Sequence, residues 1–141
     1  MEKIKPYSFS TVLDIAYEEA ISLVTEKLKQ EGFGVLTEID VKSTLKKKLN
    51  QDFRKYAILG ACNPPFAFRS LEADLSVGLL LPCNVIVYET DDGKTVVSAI
   101  NPISALEIIK NKTLSEIAAE VSQKLHKVIA TVQSLCSKDT S

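Results

Sequence analysis

One apolar stripe near the end of the chain most limits what the chain can become. Leu114, Ile117, Ala118, Val121, Leu125, Val128, Ile129, Val132 and Leu135 recur at helical spacing over about six turns. A helix with so wide an apolar face must cover something large and flat, and a sheet is the natural partner. Thr113 and Glu116 stand three residues apart, the spacing of a capping box, which places the start of this helix. With 141 residues the chain is read as a single domain, 1–141, with one real core.

The preceding residues supply the sheet. A first strand is expected over 7–11. Tyr17, Ala20, Ile21, Val24 and Leu28 then hold one helical stripe, with Glu18 and Glu19 in its first turn and Lys27 and Lys29 in its last. Gly32 is placed to end that helix in a left-handed conformation. Apolar and polar positions alternate over 33–40 as a second strand. Val41, Leu45 and Leu49 mark a short helix, with Asp40 as its N-cap. A third strand over 56–62 is stopped by Pro64 and Pro65, with a short helical turn expected over 66–71. Residues 77–90 read as the longest strand, bent or held at an edge by Pro82. Asp91, Asp92 and Gly93 make a type I turn with a bulge, and 95–100 return as the fifth strand. A short helix is expected over 104–110. The order β-α-β-β-β-β-α, with short helical inserts, implies an α+β two-layer fold: a five-stranded antiparallel sheet packed on two helices. A parallel doubly wound sheet is disfavoured, because strands and full-length helices do not alternate regularly.

Composition excludes several function classes. Apolar residues make up 45% and charged residues 25%, with a net charge of −1. That balance supplies no overall attraction for nucleic acid or anionic lipid, so neither is expected as a partner. No apolar run approaches the roughly 20 residues of a membrane-spanning helix. The opening Met1-Glu2-Lys3-Ile4-Lys5 is charged and lacks the apolar stretch of a secretory signal. A cytoplasmic location is therefore expected, with the three cysteines reduced.

Two of those cysteines sit at special places. Cys62 lies in Leu59-Gly60-Ala61-Cys62-Asn63-Pro64-Pro65, and Cys83 in Leu79-Leu80-Leu81-Pro82-Cys83-Asn84-Val85. Proline cannot donate to a strand ladder, so each stretch must end or bulge where its cysteine sits. If consecutive strands bring them together, Cys62 and Cys83 make a dithiol able to exchange disulfides or to hold a soft metal ion such as Cu(I) or Zn(II). No C-x-x-C and no Cys/His cluster accompanies them, so the competing reading is two small apolar fillers. Asn63 and Asn84 are candidate ligand-binding amides. Beside Pro64, Asn63 also fits an ordinary turn, whereas Asn84 lies inside a strand and needs a partner if buried.

Other features carry less chemistry. Lys42, Lys46, Lys47 and Lys48, with Arg54 and Lys55, form the basic cluster. Lys46, Lys47 and Lys48 are candidates for an anion, against the usual solvated helix face. Cys136 has no partner signal, and His126 has no carboxylate or cysteine near it in sequence. Gly32-Phe33-Gly34 follows a helix and opens a strand, the reverse of the dinucleotide-binding context. No nucleophile elbow, P-loop or zinc-protease motif is present.

Three blocks together resemble a known family. They are the segment from Glu31 to Val41 followed by Leu45-Lys46-Lys47-Lys48-Leu49, then Ile58 to Pro64, then Val77 to Val85. In that order and spacing, over about residues 7–102, the chain is similar to the family catalogued as domain of unknown function 302. The resemblance implies a two-layer fold like that of the TATA-binding-protein group, commonly a homodimer, with no established reaction. A fold of that group does not by itself imply DNA binding.

The leading expectation is a homodimeric module that binds a small ligand or partner between sheet and helix, without catalysis of its own and without an obligatory cofactor. The alternative is a thiol-dependent redox or soft-metal-handling protein using Cys62 and Cys83. A third reading makes the chain a dimerisation module.

Overall fold

Five short segments, several rich in β-branched residues, pair into one fully antiparallel sheet. In the computed structural model its strands are β1 (Ser8–Leu13), β2 (Gly34–Asp40), β3 (Tyr56–Cys62), β4 (Cys83–Glu89) and β5 (Thr95–Ile100), in spatial order β1-β5-β4-β3-β2. Residues 5–137 are described, so most of the charged opening segment lies outside them. Helix α1 (Tyr17–Gln30) carries the chain from one edge strand, β1, to the other, β2. It ends where expected: Gly32 adopts φ 88°, and the amide of Phe33 donates back to the Leu28 carbonyl at 2.9 Å. Helix α5 (Lys112–Ser137) lies on the same face of the sheet.

The core forms because these two stripes meet the inward residues of the strands. Ala20, Val24 and Leu28 of α1 and Ile117, Val121, Leu125, Val128 and Val132 of α5 pack with Leu59, Val85, Val87 and Val97. A smaller cluster of Val77, Leu106, Leu114 and Ala118 sits at the start of α5. It is enclosed by helix α3 (Pro64–Ala73), a 3-10 segment (Leu75–Leu80) and helix α4 (Pro102–Leu106). The opposite face of the sheet carries neither α1 nor α5. There Tyr56 and Tyr88 stack with ring centroids 5.1 Å apart, and Val12 and Ile39 are exposed.

Several boundaries differ from the sequence expectation for identifiable reasons. The longest strand expected over 77–90 is split. Asp74 accepts a hydrogen bond from the Ser76 amide and starts the 3-10 segment, so pairing begins only at Cys83, after Pro82. The turn expected over 66–71 is a longer helix, opened by both prolines in its first turn. Helix α5 is capped by Asn111, whose Oδ1 accepts from the Leu114 amide at 3.1 Å, and not by a box of Thr113 and Glu116. Leu135, placed on the stripe, is 40% exposed, while Cys136, one residue on, packs against the core. The helix expected over 104–110 is α4, capped by Asn101, followed by a 3-10 turn (Glu107–Ile109). Asp40 caps helix α2 (Val41–Leu49) as expected, accepting from the Ser43 amide at 2.9 Å.

Two substitutions test this packing. Leu125→Ala leaves a cavity between α5 and the sheet and is expected to lower unfolding free energy by about 2–5 kcal/mol in urea titrations. Gly60→Ala drives a methyl group into the Thr37 side chain and to within 2.8 Å of Pro82 Cγ; a loss of about 1–3 kcal/mol is expected by the same measurement.

Candidate functional site

Proline placement creates the site. Pro64 and Pro65 end β3 and turn the chain into α3, while Pro82 delays the start of β4. The sheet therefore stops short at this corner, and α3 fills only part of the gap. Between the two core clusters a cavity of about 300 Å³ remains. Phe66, Ala67, Ser70 and Leu71 face it from α3, and Ile117, Ala118 and Val121 from α5. Phe33 and Pro102 complete the walls. Leu36 lines it from β2, where register slips between Val35 and Thr37 and leaves Leu36 as the extra residue of a bulge. Among the described residues, no charged side chain lines the cavity.

Cys62, Asn63 and Cys83 all reach this cavity. Cys83 pairs with Ala61 across the β3–β4 ladder, so Cys62 follows directly at the strand end. Both are free thiols. Burial, helped by the charge that neighbouring Cys62 can carry, pushes the Cys83 thiol up to about 11. Cys83 thus remains protonated at neutral pH, which opposes a thiolate role. Among the described residues, no three His, Cys, Asp or Glu side chains gather to hold a metal ion.

Asn63 and Asn84 separate. Asn84 lies one residue past Cys83, so the two-residue period of the strand turns it to the opposite face, where it is exposed and does not line the cavity. Of the two candidate amides, Asn63 lines the cavity and Asn84 does not. Asn63 is 8% exposed and its Nδ2 donates to the Glu31 carbonyl at 3.2 Å. It occupies the N-cap position of α3 yet makes no side-chain cap bond.

The lysine cluster lies elsewhere, on exposed α2. Lys42 donates to the Phe53 carbonyl at 2.8 Å and Lys46 pairs with Asp52 at 3.1 Å. Lys46 and Lys47 line an open hollow that also contains Asp40 and Asp52, and Lys48 does not line it. Arg54 and Lys55 are bonded to Asp91 and Glu18. These carboxylates offset much of the attraction an anion would feel. His126 is exposed and meets Phe9 edge-on at 5.1 Å. The walls Phe66, Ala67, Ala118 and Val121 were not singled out as site residues by sequence. Their one signal is helical spacing, which equally describes ordinary core.

The family model for the domain of unknown function DUF302 matches residues 9–132. The chain belongs to the DUF302 family. A crystal structure of an uncharacterised conserved DUF302 protein from Bacillus stearothermophilus superposes with a TM-score of 0.81 at 33% identity, covering 94% of this chain and 99% of that one. No curated protein matches the chain. The DUF302 blocks around Cys62 and Cys83 are the segments that bring both thiols to the cavity.

The raised Cys83 thiol has two measurable effects. At pH 8 its alkylation by iodoacetamide, followed by peptide mass mapping, should be about a hundredfold slower than that of a thiol with an ordinary pKa. Because the folded state holds this proton more tightly than the unfolded chain, its contribution to stability is full below pH 9.0 and is lost as pH rises toward about 11. Cys83→Ala should flatten that part of the pH–stability curve.

Proposed function

We propose that this DUF302 protein is a binding module for a small molecule, with no catalysis of its own, and that the ligand enters the cavity between α3, α5 and the sheet corner. One observation carries the reading: a cavity of about 300 Å³, apolar on nearly every side and bordered by few polar groups. Binding sites combine an apolar enclosure with a small number of orienting polar atoms. Toluene at millimolar concentration should raise the melting temperature, and Ala67→Trp, which fills the space from α3, should abolish that shift while the protein still melts cooperatively. Absence of any toluene effect on the unmodified protein would count against the reading.

The thiol-dependent alternative is supported by one fact, that Cys62 and Cys83 line the same cavity. The high Cys83 pKa opposes it. It requires stoichiometric Cu(I) binding that disappears in Cys62→Ser and Cys83→Ser.

We also propose a homodimer in the cytoplasm. The free thiols suit a reducing compartment. The sheet face that α1 and α5 leave bare, with Val12, Ile39 and the Tyr56–Tyr88 stack, supports self-association. Sedimentation velocity is expected to give the mass of two chains. No helix among the described residues is long and apolar enough to cross a membrane.

A further inference from the structure

The geometry points to an uncharged, mostly apolar small molecule with one N–H or O–H donor as the occupant of the cavity, held by that donor at Oδ1 of Asn63. This rests on the binding-module reading above and names its ligand class.

The amide of Asn63 has a fixed orientation. Only its NH2 end can meet a carbonyl, and it does so at Glu31, 3.2 Å away. A Cβ built on Gly32 would lie 3.1 Å from Nδ2 but 4.0 Å from Oδ1, so the nitrogen faces the α1 terminus and the oxygen is turned from it. No donor among the described residues reaches Oδ1, although the residue is more than nine-tenths buried and lines the cavity; the atom itself keeps some accessible surface.

The usual use of an asparagine at this position is not made here. An N-cap side chain accepts from the amides of the first helical turn. Here Pro64 and Pro65 have no N–H, the Phe66 amide makes no bond to the Asn63 side chain, and the Ala67 amide donates to the main-chain oxygen of Asn63 at 2.9 Å. The acceptor is left for something else.

The other lining groups narrow the ligand. The Ser70 hydroxyl donates to the Phe66 carbonyl at 2.8 Å, so its proton is committed. With no charged side chain of the described residues around the space, an anionic or cationic ligand would lose hydration without a countercharge. A molecule with no donor would leave Oδ1 buried and unmatched. A neutral apolar body with a single donor satisfies both conditions.

Indole and indene have nearly the same shape, and only indole has an N–H. In calorimetric titrations of the full chain, indole is expected to bind about tenfold more tightly than indene, the worth of one hydrogen bond to an otherwise unmatched acceptor. In Asn63→Leu that preference should vanish while indene still binds. Equal affinities in the unmodified protein overturn the proposal, and that comparison decides even if the variant does not fold. An indole preference that persists in Asn63→Leu also overturns it. In both cases indene binding shows that the cavity still takes an apolar ligand. If indole, indene and toluene all fail to bind, the binding-module reading falls with it.

Discussion

Burial of the α5 stripe against the inner face of the sheet is the interaction on which the other parts of the molecule depend. The strands alone would present Leu59, Val85, Val87 and Val97 to water, and α1 covers only part of that face. Leu125, Val128 and Val132 supply the rest. Each fully buried side chain of this kind contributes on the order of 1.5–3 kcal/mol relative to exposure. The same helix also reaches the smaller cluster through Leu114 and Ala118. One rod therefore holds two cores in register, and the space between them is defined by its side chains Ile117, Ala118 and Val121.

That space exists because sheet pairing ends early. Proline at 64, 65 and 82 withholds backbone donors at one corner, and the bulge at Leu36 re-aims a side chain from the neighbouring strand. A continuous ladder would have closed the corner with paired backbone. The irregular residues are thus grouped at one place, and two of them, Leu36 and Pro82, line the cavity. Elsewhere the chain follows ordinary rules of alternation, helical spacing and capping.

Much of the architecture was legible in sequence, because periodicity reports which face is buried. The α5 and α1 stripes, the Asp40 cap, the Gly32 terminus and the five-stranded antiparallel sheet all follow from residue spacing alone. Residues 77–81 were misread as strand because an unbroken apolar run has no period to read. Leu75 and Leu79 prove to be exposed on the 3-10 segment. The α5 cap was misplaced because Thr113 and Glu116 imitate a capping box, whereas Asn111 is the residue that binds the open amide. At the site, proline spacing marked Cys62, Asn63 and Cys83. It could not separate Asn63 from Asn84, since that choice depends on where β4 begins. Packing voids between helices leave no mark in a linear pattern, so most of the cavity wall was invisible.

The pairing of β1 with β5 has a consequence for how such a chain assembles. Ser10 and Ser98, joined by a 2.6 Å hydroxyl contact, stand 88 residues apart. During synthesis the first strand emerges long before the strand that completes it. Until β5 arrives, β1 offers an unsatisfied edge, and closing so long a loop is entropically unfavourable. The topology thus delays the native pairing of β1 until the β5 segment has been made, and leaves the nascent strand dependent on whatever shields it meanwhile.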